Sequence, residues 1–550
     1  MTGPNSTPGP GPNDADRLER ARRIDWRLLL PDPSPGRVGL AGEPDARLAA
    51  ALTDAGWEPV ALDEARAAHD GPGDTSGLDL VVAVAPTARG LVAGIGAVRP
   101  GGWLYAECHG LATRRGRRGA LGPAVVVARL RRAGFDPVRL QVQAPAGAPK
   151  VIVPIDGPAA LRLFLERRRG MLGRAPVVAG LELARRAGLV TRLAPLVSVV
   201  ARRPGAEAGG PVRDAVSEHL DGLAPARHGP ASPAPLLLTP RFKASANVIA
   251  LVPGENPREP AIVVKVARHG GAGEAADREA AALRALHDTA AGPRDGPRLI
   301  DIGLPWGLPT IVETAVPGRP LAPAVVAADP ERALTLGLRW LVSLVGGADS
   351  STPAGGRLDR LVCPQLDRYV ETIAATEDEG RLVAVTRSSA AFLRGVALPR
   401  VMEHGDASHP NLIELAEGRL TAVDWELGEA DGLPGHDLSA FLAYVAIARA
   451  GARTPAAQGA AVVDAALGGA GWADRTAAAY AAAAGIDPAI LPRLAAIAWA
   501  RQVMGLVDRL HGGPAATVTR DVKAWLAGHR YVAAWRAAVE TVERAGEVAT

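Results

Sequence analysis

The sequence predicts an α/β domain with a parallel sheet, followed by an α+β domain that ends in helices. The chain has 550 residues, too many for one domain at roughly 150 residues each. Hydrophobic residues make up 48% and charged residues 22% of the chain, so it can bury cores and global disorder is excluded. Short apolar runs alternate with helical stretches in the first half, whereas the second half opens on a hairpin and continues mostly as helix.

The N-terminal tail and the cysteines limit where the protein works. Residues 1–16 are polar and rich in Pro and Gly, so we expect a disordered tail without the apolar core of a signal peptide. No uninterrupted apolar run reaches about 18 residues, so no membrane span is expected. Only Cys108 and Cys363 occur, which excludes a disulfide framework and a cysteine-based zinc site. We therefore expect a cytoplasmic protein.

Residues 30–205 are predicted to form the α/β domain. Strands separated by helices of this length are typical of βαβ units. The predicted strands are 37–41, 58–62, 78–85, 103–107, 138–143, 150–154 and 196–201, and the predicted helices are 45–56, from 89 onward, 124–133 and 158–169.

Residues 206–234 have no long apolar run and are predicted to be a linker. The second domain, residues 235–550, then begins with a hairpin whose strands are joined by a polar Pro/Gly turn. Asp329-Pro330 is a helix start, with a capping side chain before a Pro in the first turn. Two short apolar runs interrupt the helical part. The predicted elements are strands 247–252, 261–267, 298–302 and 310–314, helix 274–286, and the runs 412–415 and 420–423.

A pattern of chemistry-bearing residues lies in this helical part. Residues 404–411 read HGDASHPN, and His404 and Asp406 are the candidate catalytic residues because a loop carboxylate can accept or orient a hydroxyl proton. Asn411 and Asp424 are the candidate metal ligands, since their oxygens suit Mg²⁺ that bridges nucleotide phosphates. The alternative is a surface loop with polar turn residues.

A lysine upstream strengthens the pattern. The chain contains four Lys among 62 basic residues, and Lys265 lies within the apolar run 261–267. A buried lysine is costly unless it is paired. Glu279, in the following helix, is the predicted partner that holds Lys265 against the nucleotide phosphates. The alternative is a lysine on an exposed strand edge.

The loop 404–411, the triplet Asp424-Trp425-Glu426 and the Lys265/Glu279 pair together resemble the aminoglycoside phosphotransferase/choline kinase family of protein-kinase-like enzymes. The resemblance covers residues 235–550. It implies a bilobal fold with a helical C-terminal subdomain, ATP and Mg²⁺ as cofactors, and transfer of a phosphoryl group to a small hydroxylated substrate. The implied lobes are 235–318 and 319–550.

The resemblance also implies roles for residues outside the loop. The phosphate-covering turn is 241–247, which contains no glycine, and the adenine-facing hinge is 313–316. Asp437, at the start of the next helix, is implied to stabilise the catalytic loop. The implied nucleotide-binding residues are Lys243, Ser245, Asn247, Glu313 and Ala315, together with Lys265 and Glu279.

The acceptor is constrained by charge. Residues 451–550 contain ten Arg or Lys and eight Asp or Glu, whereas a polycationic aminoglycoside needs an acidic pocket. A neutral or anionic hydroxylated metabolite is therefore expected. Glu426 stands where protein kinases have glycine, which disfavours protein kinase activity. The alternatives left open are a nucleotide-binding pseudokinase or scaffold, and a bifunctional methyltransferase-kinase.

The first domain carries two short markers. Pro100-Gly101-Gly102 before a strand, and Ala133-Gly134-Phe135 after a helix, resemble class I methyltransferases. The first turn, 38–44, departs from that pattern because it has only two glycines and ends in Pro. Asp63 is a candidate for the ribose of the cofactor, although one acid after a strand is also an ordinary helix cap. We expect a degenerate Rossmann-like domain that does not bind S-adenosylmethionine.

Charge is uneven along the chain. Residues 101–205 hold 19 Arg or Lys and five acids, a net charge of +14, which leaves −10 for the rest of the +4 chain. An Arg-rich face over residues 114–139 suggests an anionic partner, and the alternative is a solvated surface. Aromatic residues are sparse there, so nucleic acid is not expected.

Overall fold

The computed structural model describes most of the chain. Contacts divide it into an N-terminal unit, Ala15–Gly273 with Ile300–Ala315, and a C-terminal unit, Glu274–Leu299 and Val316–Thr550 with Met1–Asp14. The described residues are 14–62, 77–110, 113, 119–136, 138–145, 149–156, 158–172, 183–184, 189–205, 214–223, 234–240, 246–256, 258–288, 295–346, 351–374, 376–467, 471–511 and 518–548.

One mixed sheet dominates the N-terminal unit, with twelve strands among the residues described. Their spatial order is β11-β12-β10-β9-β8-β6-β5-β7-β4-β3-β1-β2. The strands are β1 Arg37–Gly42, β2 Glu58–Ala61, β3 Leu78–Val84, β4 Val98–His109, β5 Val138–Ala144, β6 Val151–Pro154, β7 Leu196–Arg202, β8 Leu236–Leu238, β9 Asn247–Pro253, β10 Pro260–Ala267, β11 Leu299–Gly303 and β12 Thr310–Thr314.

The predicted parallel sheet is present at one end. Strands β2, β1, β3 and β4 pair in parallel, and β7 then lies antiparallel between β4 and β5. Apolar side chains on both faces are buried, as expected for parallel strands that are covered on two sides. The helices of this part are α1 Asp14–Ala21, α2 Ala46–Asp54, α3 Ala88–Ala97, α4 Pro123–Arg132, α5 Pro158–Leu172, α6 Val190–Leu193 and α7 Ala215–Leu223.

The predicted linker differs from the structure. Within residues 206–234 the chain forms α7, and β8 begins at Leu236. Leu237 in β8 pairs with Ile152 in β6 on one side and with Ala250 in β9 on the other. The strands of both predicted domains therefore belong to one sheet, and the boundary that we expected does not separate the compact units. A three-residue strand after a Pro-rich stretch is too short for periodicity to reveal.

The segment before β1 is also more ordered than predicted. Helix α1 begins at Asp14, within the expected tail, and a 3-10 helix follows at Arg22–Leu29. Asp25 accepts two hydrogen bonds, of 2.9 and 2.8 Å, from the guanidinium of Arg268, which directly follows β10. Both side chains are fully buried. This paired charge fastens the 3-10 helix to the second half of the sheet.

The Arg-rich face lies partly outside the described residues, which exclude 114–118 and 137. Arg129, Arg131 and Arg132 occupy the last turn of α4. Cations are stabilised at that end of a helix by the helix dipole. These three arginines therefore have a structural reason to be there that requires no partner, and an anionic partner stays a prediction.

The C-terminal unit is mainly helical. Its α10 begins as predicted, with the Asp329 side chain accepting the Arg332 amide at 3.0 Å. The helices are α8 Gly273–Asp288, α9 Pro323–Ala328, α10 Pro330–Ser343, α11 Gly355–Leu361, α12 Cys363–Thr372, α13 Glu377–Leu393, α14 His436–Arg449, α15 Pro455–Asp464, α16 Trp472–Ala484, α17 Leu491–His511, α18 Arg520–Ala527 and α19 Arg530–Val548.

Short strands and one long apolar helix complete this unit. The helical segment Pro488–Asp508 is long and apolar enough to cross a membrane, but 83% of it is buried inside the protein, as in a core helix. The strands are β13 Arg319–Pro320, β14 Thr352–Pro353, β15 Ala397–Leu398, β16 Val401–Glu403, β17 Leu412–Glu414, β18 Leu420–Ala422 and β19 Glu429–Gly432.

Candidate functional site

The candidate catalytic loop, residues 404–411, connects β16 to β17 and is anchored by Asp437. The Asp437 carboxylate accepts the backbone amides of His404 at 2.6 Å and of Gly405 at 2.9 Å. Asp437 is buried, and burial raises its pKa to about 6 against the opposing effect of these two amides. These contacts are of the kind that the resemblance implied for Asp437, and its role in catalysis stays a prediction.

Gly405 is required where the loop turns. Its φ is +85°, and a Cβ at this position would lie 2.7 Å from the Cβ of Leu427. Only glycine accepts this conformation together with this close approach. The carbonyl of Gly405 accepts a hydrogen bond of 2.9 Å from the Gln502 side chain, which comes from α17.

The carboxylate of Asp406 is held at both oxygens. The Ser408 hydroxyl donates to Oδ1 at 2.9 Å, and the Asn411 side-chain amide donates to Oδ2 at 3.2 Å. Asp406 remains partly exposed. An oriented carboxylate that solvent can still reach is suited to accept or direct a proton from a bound hydroxyl group.

Asn411 and Asp424 lie at the same end of the β17–β18 hairpin. Leu412 pairs with Ala422, and the Val423 amide donates to the Asn411 carbonyl at 2.9 Å, so Asp424 follows directly. Asp424 has a φ of +70°, a conformation that costs about 1 kcal/mol or more in a non-glycine residue. Backbone strain of this kind is concentrated at functional sites.

These two side chains carry oxygens of the kind that Mg²⁺ prefers, and a magnesium ion held by them stays a prediction. The amide nitrogen of Asn411 is used by Asp406, so this bond does not use its side-chain carbonyl oxygen. Among the described residues, no group of three or more His, Cys, Asp or Glu is placed to hold a metal. Mg²⁺ commonly takes one or two protein oxygens and completes its shell with water and substrate phosphates, so a two-residue site suits it.

The prediction that His404 is catalytic needs correction. Its ring is completely buried. Nε2 donates to the Val423 carbonyl at 2.9 Å, and Nδ1 accepts the Asp406 amide at 3.2 Å. The ring also packs edge-on against Trp425, with 4.7 Å between centroids. His404 therefore positions the loop, and its enclosed ring cannot touch a substrate.

Sequence reasoning missed a buried ion pair behind the loop. Glu403, the last residue of β16, accepts two hydrogen bonds from Arg501 in α17, at 2.8 and 2.7 Å, and one from the Leu433 amide at 2.6 Å. Burial alone would raise the pKa of Glu403, but the charges of Arg501 and His436 lower it below its ordinary value. No local signal could reveal a pair 98 residues apart in the chain.

The candidate nucleotide residues lie mostly in the N-terminal unit. Lys265, the sixth of the eight residues of β10, is buried and ion-pairs with Glu313 of β12, with 3.5 Å between Nζ and Oε1. Glu313 was predicted only as part of the adenine-facing hinge. The ion pair with Lys265 is a contact of its side chain that the sequence did not predict. Glu279 is buried in α8, within the C-terminal unit, and its pair with Lys265 stays a prediction.

The other residues predicted to contact the nucleotide lie at or next to strand ends, or outside the described residues. Asn247 is the first residue of β9. The Ala315 amide donates to the Ala261 carbonyl at 2.9 Å, which leaves the Ala315 carbonyl, and not its N–H, to face a ligand. Lys243 and Ser245 lie outside the described residues, as does Asp63.

The contact between Gln502 of α17 and the Gly405 carbonyl can be tested by mutation. Replacing Gln502 with Leu should lower the free energy of unfolding by about 1–3 kcal/mol, because the buried Gly405 carbonyl loses its donor. Urea unfolding measures this change. An unchanged midpoint would show that the Gln502 contact does not hold the loop.

Neither a protein-family model nor a curated protein matches the chain. Similar solved structures include the aminoglycoside phosphotransferase APH(4)-Ia with AMP-PNP and hygromycin B, at 15% identity and a TM-score of 0.38, covering 58% of this chain and 98% of the other. Choline kinase LicA from Streptococcus pneumoniae has 14% identity and a TM-score of 0.34, covering 60% and 98%.

A further similar structure is an aminoglycoside phosphotransferase from Alicyclobacillus acidocaldarius, at 10% identity and a TM-score of 0.33, covering 62% of this chain and 98% of the other. These structures belong to the same group of enzymes that the sequence motifs resemble.

Proposed function

We propose that this protein is an ATP-dependent phosphotransferase that acts on a hydroxyl group of a small molecule. The observation that carries the proposal is the geometry of the loop 404–411. Its one solvent-reachable carboxylate, Asp406, is fixed at both oxygens, and two oxygen ligands suited to Mg²⁺, Asn411 and Asp424, lie at one end of the adjoining hairpin.

Each residue has a separate part in the proposed mechanism. Asp406 orients the acceptor hydroxyl and takes its proton as the phosphoryl group is transferred. Asn411 and Asp424 would hold Mg²⁺, which when bound neutralises charge on the transferred phosphoryl group. Lys265 is proposed to contact the phosphates of ATP. A fixed carboxylate is effective because no reorganisation is needed at the moment of reaction.

The acceptor is proposed to be a neutral or anionic hydroxylated metabolite. The region 451–550 carries two more basic than acidic residues, and this balance does not attract a polycation. Two arginines there are paired with carboxylates from outside the region: Arg536 donates to Asp378 at 2.7 Å, and Arg501 donates to Glu403 at 2.7 Å. The balance therefore does not mark a strongly cationic pocket either, which agrees with a neutral acceptor or one with few charges.

The experiment that tests this function is a screen of hydroxylated metabolites with ATP labelled at the γ-phosphate, with and without Mg²⁺. Label should appear on an alcohol only when the metal is present. The Asp406→Asn chain is the matched control and should transfer label at least about 10²-fold more slowly. ATP binding without transfer to any acceptor or to water would instead identify a pseudokinase.

Asp437 gives a pH prediction. Its pKa is about 6 because it is buried, so its carboxylate should gain a proton as the pH falls through about 6 and should then lose one of its two amide contacts. We expect kcat to fall below about pH 6, by at most tenfold per pH unit. A pH profile measures this, and a flat profile down to about pH 5 would contradict it.

The stability of the fold should depend on pH in the opposite direction to kcat. A folded-state pKa above the ordinary value of 3.8 means that the folded protein takes up this proton more readily than the unfolded chain. The contribution of Asp437 to stability therefore rises as the pH falls from about 6 to about 4. Comparing unfolding free energies of the wild type and Asp437→Asn across this range separates lost activity from unfolding.

We propose further that the N-terminal sheet does not bind S-adenosylmethionine. Ligands of parallel sheets bind at the carboxyl ends of the strands. At that edge Arg23 pairs with Glu107 of β4, with a contact of 2.7 Å, and with Asp45 after β1 at 3.4 Å. Trp26 stacks on Tyr105, with 3.7 Å between centroids. The chain's own side chains thus take the space that a cofactor would need.

Calorimetry of the full chain with S-adenosylmethionine tests this second proposal, and no binding is expected at micromolar concentrations. The full chain is required because β8 joins both halves of the sheet. Binding in the micromolar range that is lost in the Asp63→Ala chain would support a bifunctional methyltransferase-kinase instead.

A further inference from the structure

A cavity of about 1110 Å³ opens in the N-terminal unit, away from the edge that Arg23 covers. Gly36 and Asp79 bring the amino ends of β1 and β3 to its wall, and Arg202 brings the carboxyl end of the antiparallel β7. The cavity therefore lies where the parallel strands begin, opposite the strand ends that Arg23 covers. Its volume is that of a site for a drug-sized molecule.

Three of the chain's ten tryptophans line this cavity. Trp57 is 5% exposed and Trp103 is 9% exposed, and Trp306 comes from the segment between β11 and β12. The indole Nε1 of Trp57 is buried, and it has no hydrogen-bond partner in the part of the chain that the structure describes. A buried indole N–H normally finds an acceptor, and a ligand with an acceptor atom would provide one.

Arg99 and Arg202 lie on either side of Gly101 in the cavity wall. A Cβ added to Gly101, whose φ is +80°, would lie 3.7 Å from Nη1 of Arg99 and 3.9 Å from Nη2 of Arg202. The absence of a side chain leaves that space open. The Arg202 guanidinium lies 5.7 Å from the centroid of the Trp103 ring. An anionic group next to Gly101 would contact both guanidinium groups.

The charges of the wall limit the ligand to about one negative charge. Arg99 is already paired with Asp79 at 2.7 Å. Arg202 donates to the Gly101 carbonyl at 3.2 Å, and no described carboxylate pairs with it. Asp32 and Glu218 also line the cavity, and their charges would repel a polyphosphate.

We propose that this cavity binds a planar aromatic molecule with a single anionic group, its ring against the tryptophans and its charge between Arg99 and Arg202. Aromatic faces and a cation over Trp103 favour such rings, and the two guanidinium groups favour the anion. The site is separate from the proposed transfer of phosphate, since none of its lining residues is among those proposed to bind the nucleotide, the metal or the acceptor.

Two fluorescent probes test the proposal on the full chain. Anilinonaphthalene sulfonate carries aromatic rings and one negative charge, and phenylnaphthylamine carries the same rings without the charge. Excess ADP is present throughout, so that the proposed nucleotide site is closed to the probes. We expect saturable binding of the sulfonate at one site per chain, and the Asp406→Asn chain should bind it as the wild type does.

Variants locate the binding. Arg202→Gln should weaken the sulfonate by about tenfold, because one charge-assisted hydrogen bond is lost, and should leave the neutral probe unchanged. Trp57→Phe should weaken the sulfonate by about threefold, because the indole N–H is removed. Arg387→Gln, a change of an exposed arginine in the C-terminal unit, is the matched control and should have no effect.

Three outcomes overturn the proposal: no saturable binding of the sulfonate, equal affinity in the wild type and Arg202→Gln, or equal weakening of both probes by that change. Near-ultraviolet circular dichroism checks that the variants fold. If Arg202→Gln does not fold, Arg99→Gln carries the same test, since its guanidinium flanks the same point.

Discussion

Asp406→Asn is expected to lower the rate of phosphoryl transfer by about 10²–10⁴-fold, the range found when a general base is removed. The amide that replaces the carboxylate cannot take a proton, and it keeps only one oxygen for the donors Ser408 and Asn411. ATP should bind with nearly unchanged affinity, because the residues proposed to hold nucleotide lie elsewhere. Steady-state kinetics and calorimetry with ATP measure the two effects separately.

A control for this variant is Asp367→Asn, which removes the charge of an exposed carboxylate paired with Arg387. This change should leave kcat within about twofold of the wild type, since exposed ion pairs contribute little. Turnover like that of the wild type in Asp406→Asn would contradict the role given to this carboxylate. If ATP binding and turnover fall equally, Asp406 contacts the nucleotide and not the acceptor hydroxyl.

Arg501→Met is expected to lower the free energy of unfolding by about 3–5 kcal/mol, the usual cost of leaving a buried charge without its partner. The Arg501 side chain is 10% exposed and that of Glu403 is 1% exposed, so water cannot replace the lost guanidinium. Because Glu403 directly precedes the loop 404–411, activity should fall as well. Denaturant unfolding at neutral pH measures the change in stability.

The pH dependence distinguishes a charge effect from lost packing. The pKa of Glu403 is lowered from its ordinary 4.5, so its stabilising contribution is present above about pH 4.5 and is lost as the pH falls through the folded-state value. The difference between wild type and Arg501→Met should therefore shrink in acid. A difference that is constant with pH would assign the effect to packing alone. Arg387→Met, on the surface, should cost less than about 0.5 kcal/mol.

Local patterns were sufficient for most elements of the N-terminal sheet. The predicted strand 310–314 coincides with β12, and the strands predicted at 37–41 and 78–85 each differ from β1 and β3 by one residue at the end. Their apolar runs have the length of buried strands, and each is preceded by Gly or Pro. The parallel pairing of β1, β3 and β4 was predictable because helices separate these three strands.

Short or irregular elements were missed. The 3-10 helix Arg22–Leu29 has eight residues and non-helical backbone angles at Ile24, and its position depends on the buried pair Asp25–Arg268, whose members are 243 residues apart. Strand β8 has three residues, and only its two neighbours stabilise it. For this reason the sequence pattern did not reveal that β8, just after the predicted linker, joins the strands of the two predicted domains.

Sequence patterns were enough to select the candidate site residues: Asp406, Asn411 and Asp424 by their order and spacing, and Lys265 by its rarity, while the family resemblance added Asp437. These residues are close in the chain, of a rare type, or part of a known motif, so their selection needed no tertiary information. Packing, in contrast, encloses His404 and sets Arg501 against Glu403. Burial and ion pairing between distant segments arise when the chain packs, and a linear pattern does not record them.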